Sequence, residues 1–279
     1  MKVFDDYLIS DSELETRVNS LLSGIEGNFP DRETCKSLLG AIDLTSLNGD
    51  DTRKKIQDLC LQARLLSQQI APEHIPAVCI YPVHIAFAKK QLKDLPVKVA
   101  TVAGGFPSGQ VSLSVKLCEV KYALNEGADE IDLVINRACI LDGNDARVLE
   151  EISRIREECR DRTLKVILET GELQSTRNIR KACELALTGG ADFLKTSTGK
   201  SSPAATLPAF LIMIDTIREY CLNTGIKTGI KAAGGIAEPV DAYKYFTLVQ
   251  EVLGASWMGP EKFRIGASRL ANALSLELS

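Results

Sequence analysis

Short apolar runs alternate with amphipathic stretches along the chain from about residue 37 onward. Apolar runs of this length, bounded by turn residues, are typical of buried strands. Strands are predicted at 38–44, 77–81, 98–102, 130–135, 165–169, 193–196, 229–232 and 263–265. Helices are predicted between them at 51–67, 112–125, 146–159, 177–188, 207–221 and 239–253. This alternation predicts right-handed β-α-β units and a parallel sheet.

Eight such units favour an α/β fold, a single (β/α)8 TIM barrel with an extra N-terminal helix. An open sheet that binds dinucleotides is disfavoured, because no G-x-G-x-x-G sequence follows the first strand. Leu14, Val18 and Leu21 recur at helical spacing and predict the extra helix over 11–27. We expect residues 1–35 to be a helical extension placed to cover the bottom of the barrel, and residues 36–279 to be the barrel domain.

Composition narrows the class of protein. The chain has 279 residues, of which 45% are hydrophobic and 25% charged, which suits one large domain. A net charge of −4 argues against nucleic-acid partners, so any phosphate site must be local. The N-terminus is acidic and the sequence contains no long apolar run, so neither a signal peptide nor a membrane span is expected.

Cysteines and histidines show no metal-binding pattern. The eight cysteines form no C-x-x-C pair and are expected to be reduced thiols of a cytoplasmic protein. His74 and His84 lack ligand spacing, so no metal is expected.

The segment 191–200 carries the first chemical signal. Lys195 ends an apolar run and is followed by a hydroxyl-rich turn that ends in Gly199-Lys200. Burial lowers the pKa of a lysine, and a neutral lysine attacks carbonyl groups to form a Schiff base. On this segment alone, an ordinary strand end with a lysine reaching solvent stays an open alternative.

A second lysine strengthens the hypothesis. Lys231 also ends an apolar run, and Gly234-Gly235 follows it. Strand ends from distant parts of a barrel meet at one face, where two ammonium groups would lower each other's pKa. Asp132 lies in another predicted strand, either as a structural partner of a lysine or as a proton relay. Lys165 is equally ambiguous, since it can simply balance Asp132 or Glu169.

Taken in order, the motifs of this sequence resemble those of the deoxyribose-phosphate aldolases, a family of class I, lysine-dependent aldolases. The resemblance runs in order from about residue 38 to about residue 270. The matching segments are 42–48, 78–82, 105–109, 127–134, 165–173, 191–200, 231–236 and 264–268.

The resemblance implies reversible cleavage of 2-deoxy-D-ribose 5-phosphate to D-glyceraldehyde 3-phosphate and acetaldehyde, without a cofactor. It implies that Lys195 forms the imine, that Lys231 lowers its pKa, and that Asp132 works with Lys231 and a water as acid and base. The implied substrate-binding residues are Asp43, Thr45, Cys79, Lys165 and Thr198. The implied phosphate-binding residues are Gly199, Lys200, Gly234, Gly235, Gly266 and Ser268. The expected partners are a sugar phosphate and an aldehyde, and a homodimer is one expectation for the assembly.

Two departures from the family pattern stand out. Many relatives end in a tyrosine that helps proton transfer at the enamine carbon, whereas the last tyrosine here is Tyr245 and the sequence ends at Ser279. Water or Asp132 would then serve, or turnover would be slower. Arg269 stands where relatives often have a second serine, and it either contacts phosphate or, as we favour, points to solvent.

The competing functions are another Schiff-base sugar-phosphate aldolase of the transaldolase type and a non-catalytic sugar-phosphate binding protein.

Overall fold

The computed structural model describes residues 3–25 and 27–279, and the predicted (β/α)8 barrel is confirmed. Within these residues eight parallel strands close into a barrel in sequential order, with β1 paired to β8. The strands are β1 (Ile42–Thr45), β2 (Ala77–Ile80), β3 (Lys98–Ala103), β4 (Glu130–Val134), β5 (Thr163–Ile167), β6 (Phe193–Lys195), β7 (Gly229–Ala233) and β8 (Phe263–Ala267).

Helices follow the strands and surround the barrel. They are α1 (Asp11–Leu22), α2 (Arg32–Leu39), α3 (Arg53–Gln69), α4 (Ile85–Gln91), α5 (Leu113–Asn125), α6 (Arg137–Leu141), α7 (Asp145–Cys159), α8 (Thr176–Thr188), α9 (Leu207–Thr224), α10 (Pro239–Leu253) and α11 (Arg269–Glu277). Short 3-10 turns lie at Ser23–Ile25, Pro82–His84, Thr170–Glu172 and Ala255–Trp257. Side chains of Thr52, Ser175 and Thr206 accept backbone N–H bonds and fix where α3, α8 and α9 begin. None of the described helices is long and apolar enough to cross a membrane.

The strands have two different faces. Their outer side chains, such as Ile42, Leu44 and Val78, belong to the large apolar core beneath the helices. The interior of the barrel holds a separate apolar group of small and medium side chains, which are Leu47, Ala77, Cys79, Ala100 and Val102. These residues come from β2, β3 and the turn after β1, whereas the buried charged side chains inside the barrel come from β1 and from β4 to β8.

The first predicted strand began too early. Residues 38 and 39 belong to α2, whose N-terminus is capped by the Asp31 side chain, and β1 begins at Ile42. Residues 38–44 form one short apolar run, and periodicity alone does not show where the helix within it ends and the strand begins. The boundary expected at residues 35 and 36 lies within α2. The strand predicted at 165–169 ends at Ile167, and Glu169 adopts a left-handed conformation with φ of 57°.

The N-terminal helix lies against two of the helices that surround the barrel. Helix α1 packs on α9 and α10, and the expectation that it covers the bottom of the barrel stays a prediction. Arg17 in α1 donates two hydrogen bonds to Asp215 in α9, which fixes this position. The predicted helix 11–27 is shorter in the structure, where a 3-10 turn follows Leu22. Residue 26, like residues 1 and 2 of the expected extension, lies outside the described residues.

Candidate active site

Strand register brings the predicted lysines together. Lys195 in β6 is the register partner of Lys231 in β7, and Lys231 is the partner of Arg264 in β8. On the other side, Asp132 in β4 is the partner of Lys165 in β5. Because side chains alternate along strands, these residues share the inward face of the barrel. Residues that are up to 132 positions apart in sequence therefore form one buried cluster.

Asp132 is the hub of this cluster. Its Oδ2 accepts hydrogen bonds from Lys195 at 2.6 Å and from Lys231 at 2.8 Å. Its Oδ1 accepts one from Lys165 at 2.8 Å. Burial by itself would raise the pKa of Asp132, but attraction to Lys165, Lys195 and Lys231 outweighs it and holds this pKa well below its usual range. Asp132 is therefore an anion in contact with three lysines.

The two central lysines differ in their acid partners. Lys195 contacts one carboxylate, whereas Lys231 contacts both Asp132 and Asp43. Burial lowers the pKa of Lys195 against the pull of Asp132, and the neighbouring Lys231 lowers it further. Burial acts on Lys231 in the same sense, but Asp132 and Asp43 outweigh it and raise its pKa. The net pKa is therefore lowered for Lys195 and raised for Lys231, because the second carboxylate outweighs burial at Lys231.

Lys165 lies deep in the barrel. Its ammonium donates to Asp132 and also pairs with Glu130. The side chain has no exposed surface, and these carboxylates outweigh burial and raise its pKa. Lys165 is thus enclosed by protein and does not line the cavity.

A cavity of about 200 Å³ opens at the carboxyl ends of the strands, the usual active-site face of such barrels. All six predicted phosphate-binding residues line it, together with Thr45, Lys195 and Thr198. The predicted residues Asp43, Cys79, Asp132, Lys165 and Lys231 are not among its lining residues and are buried in the barrel interior. Lys195 alone belongs to both the cavity and the ion cluster.

Two turns at the cavity depend on glycine. Gly199, Gly234 and Gly235 have φ of 76°, 89° and 83°, in the region that side chains disfavour. A Cβ on Gly234 would lie 2.6 Å from the Cβ of Ala204 and 3.1 Å from the Cα of Gly199. The two turns therefore pack closely at this side of the cavity.

Two exposed cations line the same part of the cavity. Lys200 and Arg269 both have exposed side chains, and neither forms an ion pair with any residue in the described part of the chain. Arg269 begins α11, which follows β8 directly. Together they place positive charge beside the glycine turns.

Thr198 is held by a buried acid. Its hydroxyl donates to Glu169 at 2.5 Å and accepts the backbone N–H of Lys200 at 3.1 Å. The Thr198 N–H also donates to both Glu169 oxygens at 3.3 Å. Glu169 thereby fixes the turn that carries Gly199 and Lys200.

Sequence reasoning gave no role to Glu130 or Arg264. The Arg264 guanidinium donates to Asp43 at 2.6 Å and to Glu130 at 3.1 Å, and both residues are fully buried. A signal existed, since Glu130 precedes Asp132 by two residues and Arg264 precedes Gly266 by two. Residues two apart in a strand share a face. Gly266 also makes room, because a Cβ there would lie 3.1 Å from Cε of Lys231.

The fold and the site define a (β/α)8-barrel protein with a lysine-centred cavity at the carboxyl ends of its strands. The chain belongs to the DeoC/LacD family of aldolases, whose family model matches residues 37–254. The expectation of an aldolase, a carbon–carbon lyase, is confirmed.

The relatives of this chain include named enzymes. It is 42% identical over 248 residues to human (Homo sapiens) deoxyribose-phosphate aldolase, covering 85% of this chain and 78% of that protein. It is 43% identical over 242 residues to the Bos taurus deoxyribose-phosphate aldolase, covering 82% and 76%. A crystal structure from Toxoplasma gondii ME49 has a TM-score of 0.79 at 26% identity, covering 88% of this chain and 96% of that one.

Proposed function

We infer that this enzyme cleaves 2-deoxy-D-ribose 5-phosphate reversibly to D-glyceraldehyde 3-phosphate and acetaldehyde through an imine on Lys195. The observation that carries this proposal is that Lys195 lines the cavity while its pKa is lowered by burial and by Lys231. A buried amine that is partly neutral is the nucleophile this chemistry needs. Relatives named for this activity support the choice of substrate.

The neutral Lys195 amine adds to C1 of the open-chain sugar, and loss of water gives the protonated imine. The C3 hydroxyl then loses its proton, the C2–C3 bond breaks, and its electron pair flows into the imine to give an enamine. Glyceraldehyde 3-phosphate leaves, the enamine carbon takes up a proton, and water releases acetaldehyde and Lys195.

Lys231 and Asp132 supply the charge and the proton path. Lys231 has a raised pKa and stays an ammonium that can donate to the departing water. Asp132 contacts both lysines through one oxygen, so a proton that leaves either ammonium has an acceptor within 2.8 Å. We propose that a water in the cavity links these groups to the C3 hydroxyl and to the enamine carbon.

The other predicted residues divide into two groups. Thr45 and Thr198 line the cavity and are proposed to face the sugar hydroxyls. Asp43, Cys79 and Lys165 lie in the barrel interior, and their proposed contribution is to hold Lys231 and Asp132. Phosphate is proposed to bind Lys200 and the turns at Gly199, Gly234-Gly235, Gly266 and Ser268, where backbone N–H groups are available.

Borohydride trapping tests the proposal. Reduction in the presence of deoxyribose 5-phosphate should add one substrate-derived mass to the peptide that contains Lys195. A coupled assay should detect glyceraldehyde 3-phosphate. Lys116 is a matched control, because it is a buried lysine paired with Glu151 at 2.7 Å outside the barrel interior. Trapping at Lys116 or at no lysine would reject the Schiff-base function, and a binding protein without catalysis would give no trapping.

We also propose a cytoplasmic location, supported by eight unpaired cysteines of which six are buried. A homodimer stays a prediction, which sedimentation equilibrium would check.

A further inference from the structure

The charged groups inside the barrel do not balance. Three carboxylates, those of Asp43, Glu130 and Asp132, meet four cations, those of Lys165, Lys195, Lys231 and Arg264, so the cluster carries one excess positive charge if all are ionised. All seven side chains are at most 3% exposed. Uncompensated charge in such surroundings is costly. If one of the four basic side chains loses its proton, the positive and negative charges of the cluster balance.

Contacts decide which cation becomes neutral. Arg264 bridges Asp43 and Glu130, and Lys231 contacts Asp43 and Asp132. Lys165 contacts Glu130 and Asp132 and lies 3.8 Å from Asp43. Lys195 contacts one carboxylate, so removing its charge sacrifices least. Arginine is moreover always charged in proteins.

The surroundings of the cluster do not alter this count. Lys98 is 36% exposed and contacts Glu130 and the exposed Glu261, so it forms a solvent-screened pair at the edge. Cys79 lies 3.8 Å from Asp132 with a raised pKa, caused by burial and by that carboxylate, and stays a neutral thiol. Glu169 is buried but bonds Thr198, and no ion pair joins it to the four cations within the described residues. Lys200 is exposed at the cavity.

We propose that Arg264 and Glu130 are positioning residues that set the protonation of Lys195 without touching it, Arg264 keeping the amine neutral and Glu130 opposing that effect. Arg264 pairs with Asp43 and Glu130 and always keeps its positive charge. The three carboxylates can therefore neutralise Arg264, Lys165 and Lys231, and no negative charge is left to neutralise an ammonium on Lys195. Glu130 supplies one of the three negative charges that the cations share. This proposal rests on the proposed function in one respect, which is that the neutral Lys195 amine serves as the nucleophile.

The test measures when Lys195 loses its proton. Reductive methylation with formaldehyde and cyanoborohydride modifies only neutral amines, and the rate at Lys195 is followed against pH by peptide mass. Arg264→Gln leaves three cations and three carboxylates, so the midpoint should move up by about one pH unit or more, which is about 1.4 kcal/mol per unit. Glu130→Gln leaves four cations and two carboxylates, so the midpoint should move down by a similar amount.

The double variant Glu130→Gln/Arg264→Gln separates charge from packing. It has three cations and two carboxylates, and therefore the same excess as the natural protein. Its midpoint should return to within about half a unit of the natural value. Arg264→Lys keeps the charge but loses the two-pronged contact, and it should also keep the natural midpoint.

The control is the double variant Lys116→Gln/Glu151→Gln, which removes a buried ion pair between α5 and α7 and should leave the midpoint unchanged. Shifts in the same direction for both single variants, or shifts no larger than that of the control, would overturn the proposal. A shifted midpoint in Glu130→Gln/Arg264→Gln would also overturn it. If one single variant does not fold, the other single variant, Glu130→Gln/Arg264→Gln and Arg264→Lys are still compared with the midpoint shifts expected for them. Methylation needs no substrate, so failure of trapping with deoxyribose 5-phosphate rejects the proposed function while this result still stands or falls separately.

Discussion

Lys195 and Lys231 are register partners in adjacent strands, and their ammonium groups meet at a single carboxylate oxygen, Oδ2 of Asp132. The same oxygen holds them in unequal states, because Lys231 has a second carboxylate within reach and Lys195 does not. One lysine is thereby favoured as a base and the other as an acid, which is the division of roles that imine chemistry uses.

Replacing the proposed nucleophile should abolish turnover. Lys195→Ala removes the amine that reaches the cavity, so kcat should fall to background and borohydride trapping should disappear. Circular dichroism should show a natural fold, since the side chain contacts one carboxylate only. The matched variant Lys116→Ala should retain trapping. Trapping that persists at another lysine would reassign the nucleophile.

Removing the charge of Lys231 should make Lys195 more basic. Lys231→Leu deletes a cation that lowers the pKa of Lys195 and leaves Asp132 free to attract it. Imine formation requires the neutral amine, so its onset should move to higher pH, by about one unit or more for a lost neighbouring charge. The pH dependence of trapping measures this. Lys231→Arg preserves the charge and should keep the onset lower, and an unchanged onset in Lys231→Leu would show that the two lysines are electrostatically independent.

Phosphate recognition should depend on Lys200. Lys200→Ala should lower kcat/KM for deoxyribose 5-phosphate by roughly tenfold to a hundredfold, the range for one lost charge-assisted bond of about 1.5–3 kcal/mol. Unphosphorylated deoxyribose should be nearly unaffected. An equal loss for both substrates would mean that Lys200 serves the fold or the chemistry.

Arg269 should make a smaller and salt-dependent contribution. It lines the same cavity but is exposed and unpaired within the described residues, so water and ions screen it. Arg269→Ser should therefore weaken the phosphorylated substrate by less than about fivefold at low salt, a change of about 1 kcal/mol or less. The difference should vanish at high ionic strength. A loss as large as that of Lys200→Ala would place Arg269 in direct contact with phosphate.

Lys195 should reduce stability at neutral pH. Its pKa is lower in the folded protein than in the unfolded chain, so its buried charge destabilises the fold fully below the folded pKa. The penalty shrinks as pH rises and is gone at the unfolded value of about 10.4. Lys195→Met should accordingly be more stable than the natural protein near neutral pH, with a difference that decreases at alkaline pH. Urea unfolding at several pH values measures this, and a less stable variant at every pH would contradict it.

The sequence determined the architecture and the face of the barrel at which Lys195 and the glycine turns lie. Apolar runs of strand length and intervening helical periodicity are local patterns, and they define eight β-α units without knowledge of the contacts. Once a barrel is formed, lysines at the ends of the sixth and seventh strands must meet at one face. The glycine turns after these strands were readable for the same reason, since the need for positive φ at Gly234 and Gly235 is local.

Tertiary structure alone decided the protonation of the lysines and the depth of each charge. Whether Lys165 faces the cavity or the interior, and whether Lys231 has one acid partner or two, depends on how strands far apart in sequence align when the barrel closes. The position of α1 against α9 and α10 was undetermined in the same way, because an amphipathic helix specifies a buried face but not its partner. Periodicity is a property of neighbours along the chain, whereas the charge balance around Lys195 is a sum over six strands.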